Sequence, residues 1–130
     1  MGIVEFLEAR IAEDEAVAKA ARPGPWFHDS NLTCGPRVPP DDFLMVPEDP
    51  SDTISPCNDK IPDQDSRHIA RHDPARILCE VAAKRKLIRS IEGLVQHAYG
   101  YDSAGTVEKV LAPLAAIYSD HPDFNEEWRP

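Results

Sequence analysis

The stretch DSRHIARHDPARILCEVAAKRKLIRSIEGLVQHA, residues 65–98, decides the fold of this chain. Asp73 belongs to the residue types that cap helix N-termini, and Pro74 suits the first helical position, where its missing N–H is not needed. Apolar side chains then recur at helical spacing to the end of the stretch. The pattern predicts a helix over about residues 74–98, preceded by a short polar helix over about 65–72.

The predicted long helix has a wide apolar face. Five residues share a narrow sector when each residue advances 100°: Ile77, Val81, Ile88, Ile91 and Val95. Four more widen that sector on its flanks: Leu78, Ala82, Leu87 and Leu94. Such a face predicts packing against at least two partner segments. The helix would be about 37 Å long, so we expect one end to project or to form a dimer surface.

A second helix is predicted near the start of the chain, over about residues 2–21. Apolar residues recur along one side: Ile3, Val4, Leu7, Ile11, Val17 and Ala18. Charged residues take the opposite side: Glu5, Glu8, Arg10, Glu13 and Lys19. Pro23 and Pro25 end the helix, because proline cannot continue it and restricts the residue before it.

A third helix is predicted over about residues 103–118, with a serine cap at its first residue. Five apolar residues are expected to face inward: Val107, Val110, Leu111, Leu114 and Ile117. Pro113 lies inside this stretch and should kink the helix or split it. Residues 119–130 are expected to dock on the core through two aromatic side chains four residues apart, Phe124 and Trp128.

The middle of the chain, about residues 26–64, is rich in proline and acidic residues. Residues 28–64 hold eight acidic and two basic residues, a net charge of −6 out of −9 for the whole chain. Phe43–Val46, together with Trp26–His28, predicts a small β-hairpin or three-stranded element, with an irregular proline-rich loop as the alternative. Four acids are candidates for contact with a basic partner: Asp41, Asp42, Glu48 and Asp49.

Together these elements predict a mainly α fold, a small helical bundle around one long central helix, with α+β as the alternative. One domain over residues 1–130 is expected at this length, and 42% hydrophobic residues suffice for one modest core. The net charge of −9 argues against a general nucleic-acid or anionic-membrane binder, since phosphate binding depends on clustered Lys and Arg.

The sequence also predicts a cytoplasmic protein without membrane contact. Its first fifteen residues lack the basic and apolar regions of a signal peptide, and no apolar run approaches the ~20 residues that span a bilayer. Three cysteines at irregular spacings are typical of free thiols in a reducing compartment.

Three blocks of the sequence resemble a known family: HIARHDPARIL, VAAKRKLI and YSDHPDFNEEWRP. They look like small uncharacterised proteins from actinobacteria and their phages, which share a domain of unknown function. The resemblance includes the N-terminal helix and Gly24-Pro25-Trp26 and covers roughly two-thirds of the chain, without the acidic middle. It implies a small, soluble, mainly helical intracellular protein, and it brings no activity, substrate or catalytic residue.

Metal binding is the most specific chemistry in the sequence. His68 and His72 are four residues apart, so a helix presents both imidazoles on one face, which suits Zn²⁺, and Cys57 or Cys34 would supply a further ligand. Alternatively, both histidines are surface residues at a helix end. His72-Asp73 also resembles the residue pair of His-Asp phosphohydrolases, but Pro74 makes Asp73 a helix cap, and the chain is short for that fold. No cofactor other than this zinc is expected.

Nucleic-acid binding through the central helix is a further alternative. The basic residues of this region are Arg67, Arg71, Arg76, Lys84, Arg85, Lys86 and Arg89. Lys84 falls on the apolar sector and Arg85 lies near it, so the charges wrap around the helix instead of forming one stripe. A solvated face, whose side-chain stems cover the core, or pairing with the acidic middle explains them as well.

Protein interaction is the function that the sequence favours. Nucleophile-elbow and phosphate-loop motifs are absent from it, so we expect a non-enzymatic interaction or regulatory protein. The expected partner is an unidentified protein, or a second copy that pairs through the long helix. Beside the four acids, the interaction candidates are Lys84, Arg85, Lys86 and Trp128.

Overall fold

The computed structural model describes residues 1–29, 43–46, 49–53, 63–102 and 105–130. It confirms the prediction of a mainly α fold. The helices, in chain order, are α1 (Ile3–Ala20), α2 (Asp63–Arg71), α3 (Pro74–Tyr99) and α4 (Thr106–Ala115). Two short 3₁₀ turns follow, at Ala116–Tyr118 and Glu126–Trp128.

Three short strands form an antiparallel sheet in the order β1-β2-β3. They are β1 (Phe27–Asp29), β2 (Phe43–Val46) and β3 (Asp49–Thr53). In the register of the first pair, Phe27 lies opposite Met45. The pairing of β2 with β3 is irregular between Met45 and Val46.

The chain divides into two compact units. The first comprises residues 1–15 and 80–130, and the second comprises residues 16–79. Helices α1 and α3 therefore contribute residues to both units. A single domain over the whole chain stays a prediction.

Phe6 is the centre of the core of the first unit. Its ring lies 5.1 Å from that of Trp128 and 6.0 Å from that of Phe124, measured between centroids. Tyr118 and His121 present their rings to Phe6 edge-on. The tail after α4 therefore packs on α1 through aromatic contacts, which contribute beyond their buried area.

Arg10 is buried in this core, although its position in the α1 pattern predicted the charged side of the helix. Its guanidinium lies over the Phe6 ring, 5.4 Å from the centroid, and donates hydrogen bonds of 2.7 Å to His121 Nδ1 and to Glu13. These acceptors and the ring replace part of the water around the charge, while Arg10 Nε is buried without a hydrogen-bond partner among the described residues.

The second unit holds the start of α3 in place. Asp73 Oδ1 accepts a 2.8 Å hydrogen bond from the backbone N–H of Arg76, which confirms the predicted cap. Its other carboxylate oxygen accepts a 2.7 Å bond from the N–H of Trp26. A Cβ on Gly24 would lie 2.7 Å from Asp73 Oδ2 and 2.9 Å from the backbone nitrogen of Ala75. Only glycine therefore fits this close approach.

Helix α4 differs from its prediction in the residue at which it begins and in the residues that it buries. The predicted cap, Ser103, lies outside the described residues, and the carboxylate of Asp102 accepts hydrogen bonds from the first helical N–H groups, of 2.7 and 3.0 Å. Pro113 lies inside the helix, which passes into 3₁₀ geometry three residues later. Val110 and Ile117 were predicted to face inward, but both are exposed. The buried residues of this helix are Leu111 and Ala115.

Candidate functional site

The two histidines of the predicted metal site lie together on α2 and the turn after it. Their ring centroids are 4.4 Å apart. His72 Nδ1 lies 2.9 Å from the backbone oxygen of His68 and, because a carbonyl can only accept, this nitrogen is the donor. The bond fixes the imidazole tautomer of neutral His72 and leaves Nε2 as its second functional nitrogen.

The predicted metal site needs at least one ligand besides the two histidines. Cys57 and Cys34 both lie outside the described residues, so a cysteine ligand stays a prediction. Within the described ranges, no three His, Cys, Asp or Glu side chains converge as a metal site would require. Cys79 on α3 is a free, exposed thiol.

A pocket of about 360 Å³ opens along α2 beside the histidine pair. Its walls are the side chains of Gln64, Arg67, His68, Arg71 and His72. Residues four apart lie on one helix face, which explains why this set converges. The two arginines were predicted only as members of a basic region, because a helical spacing does not reveal a concave surface.

Lys84 forms a partly buried polar network with α1 and the turn after α4. Its ammonium donates a 3.0 Å hydrogen bond to the hydroxyl of Tyr118 and lies 3.6 Å from Asp14. That hydroxyl in turn donates a 2.6 Å bond to Asp14. The predicted interaction candidate Lys84 is thus engaged within its own unit, on the apolar sector where the sequence placed it.

The network shifts two pKa values upward. Burial lowers the pKa of Lys84, but its hydrogen bond to Tyr118 and the neighbouring charge of Asp14 outweigh burial and raise it above the ordinary 10.5. Burial, together with the hydrogen bond to Asp14, raises the pKa of Tyr118 above 10.0. At neutral pH the ammonium is therefore charged and the phenol neutral.

The other interaction candidates divide between surface and core. Arg85 pairs with Glu15 at 2.7 Å and with Glu8 at 3.6 Å, whereas Lys86 is exposed. Trp128 is only 2% exposed, so it is a core residue and not part of a docking surface. Of the acidic candidates, Asp49 begins β3. Three others lie outside the described residues: Asp41, Asp42 and Glu48.

An exposed apolar face on α3 is the feature that sequence reasoning assigned to the core. Leu87 is 49% exposed and Leu94 is 68% exposed. Ala83 and Ala98 are also exposed. Periodicity placed the two leucines at the edge of a wide apolar sector, but it could not show how far the rest of the chain covers that sector.

In the part of the chain that the structure describes, no helix is both long and apolar enough to span a bilayer.

Comparison with known proteins identifies the family. Searches of the curated proteins and of the solved structures find no match to the chain. One family model matches residues 1–130 and so includes the acidic middle, which the resemblance was expected to leave out. The chain therefore belongs to DUF6221, a family of unknown function.

Proposed function

We propose that this protein is a non-enzymatic interaction protein that pairs with a second copy of itself through α3. One observation carries the proposal: Leu87 and Leu94, seven residues apart on the longest helix, leave large parts of their side chains in water. Seven residues make two helical turns, so both leucines lie on one line along α3. A protein surface with such a line is suited to receive another helix.

The pattern of this face matches a second copy. Ala83, Leu87, Leu94 and Ala98 are arranged symmetrically about the midpoint between Ser90 and Ile91. When two such helices pack antiparallel about a two-fold axis at that midpoint, Leu87 of each copy faces Leu94 of the other. Ala83 of each copy likewise faces Ala98 of the other, and these small side chains let the two helices approach closely. An interface between identical copies requires this self-complementarity.

The expected pairing is weak and depends on concentration. Covering a leucine fully contributes about 1.5–3 kcal/mol, and the two-fold contact covers four leucines that are already partly buried. Loss of translational and rotational freedom offsets about 4–15 kcal/mol of that gain. The balance is a few kcal/mol at most, so we expect a dissociation constant no tighter than the millimolar range.

Sedimentation velocity over a range of concentrations tests the pairing. Wild-type protein is expected to shift from monomer to dimer as concentration rises, and Leu94→Lys is expected to stay monomeric because the lysine places a charge within the apolar contact. Val17→Lys is the matched control: Val17 is 72% exposed but lies on α1. A wild-type protein whose mean sedimentation coefficient does not rise up to about 2 mM, or an equal effect of the control, contradicts the proposal.

The broader setting follows the family resemblance. We propose that the protein acts in the cytoplasm of an actinobacterium, encoded by the cell or by a phage that infects it, where the acidic middle would bind a basic protein partner. Capture of partners from such cells with full-length protein and with a deletion of residues 29–60 tests this role. A partner that binds both forms equally well would remove the acidic middle from the proposal.

Two alternatives have less support. Nucleic-acid binding by the central helix would use Lys84 and Arg85, whose charges already pair with acidic residues of α1. A zinc site would use His68 and His72, whose pocket also contains two guanidinium groups.

A further inference from the structure

We infer that protonation of His121 loosens the packing of the C-terminal tail, residues 119–130, on α1, so that docking of the tail depends on pH. The tail packs two aromatic side chains against Phe6 of α1. Beside them, His121 accepts a hydrogen bond from the buried Arg10. Histidine is the side chain whose charge ordinarily changes between about pH 5 and 8. This inference goes beyond the pairing through α3 and does not depend on it.

The hydrogen bonds of His121 require a neutral ring. Its Nδ1 lies 2.7 Å from Nη1 of Arg10 and 3.1 Å from the backbone nitrogen of Asp123. Both of these nitrogens can only donate, so Nδ1 is the acceptor and the proton of the neutral ring lies on Nε2. Protonation of Nδ1 would remove the lone pair that both bonds use and would turn an N–H group toward the guanidinium.

The charged groups around this ring favour its neutral form. The Arg10 side chain is only 8% exposed, so its repulsion of an imidazolium is weakly screened by water. Glu13 already accepts a 2.7 Å hydrogen bond from the other terminal nitrogen of Arg10. Asp123 would favour the imidazolium, but its carboxylate is 3.9 Å from Nδ1 and its side chain is 55% exposed, so the nearer and more deeply buried charge of Arg10 outweighs it.

Docking of the tail therefore weakens as the pH falls. The docked tail excludes the second proton from His121, whereas the undocked tail lets the imidazole bind it, so protons favour the undocked state. An imidazolium that turned toward Asp123 would keep a contact within the tail but would lose its contact with α1. Arg10 cannot relieve the repulsion by losing its charge, because a guanidinium stays protonated in proteins.

Amide hydrogen exchange of the full-length protein between pH 7.5 and 5.0 tests this inference. The N–H groups of Phe124 and Trp128 donate hydrogen bonds of 3.0 and 2.9 Å within the tail, so their protection factors report how often the tail opens. We expect both protection factors to fall by about tenfold or more over this range. Ordinary carboxyl groups stay ionised at pH 5.0, so they contribute little to the change.

His121→Asn and His97→Asn are the matched variants. The amide oxygen of asparagine can take the place of Nδ1 and accept from Arg10, but it does not bind a proton in this range. His121→Asn should therefore keep the tail docked, and its protection factors should change by less than about twofold between the two pH values. His97→Asn removes an exposed histidine from α3 and should retain the full pH dependence.

Three results would overturn the inference. They are equal protection of the wild-type tail at both pH values, a pH dependence that His121→Asn retains, and a pH dependence that His97→Asn removes. If His121→Asn leaves the tail undocked at every pH, Asp123→Asn decides, because it removes the carboxylate that favours the imidazolium. A greater loss of protection at pH 5.0 than in the wild type supports the inference, and an equal or smaller loss overturns it.

Discussion

Two lines of apolar residues run along α3 with the same seven-residue spacing and different environments. Val81, Ile88 and Val95 are buried, and Ile88 is fully so. Leu87 and Leu94, one position before Ile88 and Val95, are largely exposed. A shift of one residue turns a side chain by about 100° around the helix, from the side facing the core to its flank.

The difference shows what periodicity measures. It identifies residues that share a side of a helix, but burial depends on what the remaining chain can place against that side. In the first unit, the buried side of α3 includes Lys84, whose ammonium is satisfied by Tyr118 and Asp14. The more hydrophobic flank with Leu87 stays in water. The hydrophobicity of a side chain alone therefore does not predict which of these positions is more buried.

The largest expected effect separates the two lines directly. Ile88→Ala should lower the free energy of unfolding by about 2–5 kcal/mol, because it leaves a cavity among packed side chains. Leu87→Ala should lower it by less than about 1 kcal/mol in the monomer. Urea denaturation of dilute protein measures both. Similar losses in the two variants would show that the leucine flank is covered within the single chain.

The next largest effect on the free energy of unfolding is expected from the polar network of Lys84, Tyr118 and Asp14. Tyr118→Phe removes a hydroxyl that accepts from Lys84 and donates to Asp14, and should cost about 1–3 kcal/mol at pH 7. Lys84→Met is a useful companion, because it retains the apolar stem and removes the charge. If Tyr118→Phe left stability unchanged, the network would add nothing to the buried side.

The pH dependence of stability follows from the same network. The pKa values of Lys84 and Tyr118 are both raised in the folded protein, above 10.5 and 10.0 respectively. The stabilisation that they provide is therefore complete below about pH 10 and is lost as pH rises through the folded-state values. Denaturation midpoints should fall above pH 10, and less steeply in Tyr118→Phe, which lacks the titrating phenol.

Much of the helical framework was predictable from local chemistry. The Asp73-Pro74 pair marks the start of α3, and its cap bond depends only on neighbouring residues. Arg10 and Phe6 were not predicted to be core residues, because their burial depends on a tail more than a hundred residues away. The helical spacing of apolar residues does not indicate long-range contacts of this kind.

The candidate sites were predictable to a smaller degree. The spacing of His68 and His72 predicted that they share a helix face, and their rings are 4.4 Å apart. The pocket that they share with Arg71 depends on side-chain directions, which spacing does not give. Likewise, the exposure of Leu94 depends on what the neighbouring segments leave uncovered.

A smaller effect on the free energy of unfolding is expected at the N-terminus of α3, the helix that carries both lines of apolar residues. Asp73→Ala should cost about 1–2 kcal/mol, since it removes the acceptor of the Arg76 N–H and of the Trp26 N–H. Asp73→Asn keeps one acceptor and should recover part of the loss. Thermal unfolding followed by circular dichroism measures both variants. Dimerisation through Leu87 and Leu94 should be unaffected, since these residues lie about four and six turns further along α3.

The smallest expected effect comes from a position on neither line. Gly93 is exposed in α3, and a Cβ there would meet nothing within 4 Å. It lies about 100° around the helix from Leu94 and about 140° from Ile88. Gly93→Ala should therefore stabilise the monomer by about 0.5–1 kcal/mol, because alanine loses less backbone entropy in a helix, and should leave dimerisation unchanged.

Gly100→Ala serves as the opposite control, because Gly100 has a φ of 72°, where a Cβ is strained, and should destabilise the protein. Denaturation of the two variants, with sedimentation of Gly93→Ala, completes the comparison around α3. A change in dimerisation by Gly93→Ala would place the interface on a third side of the helix and would contradict pairing through the leucine face. An unchanged dimer with a more stable monomer would limit the interface to the side that holds Leu87 and Leu94.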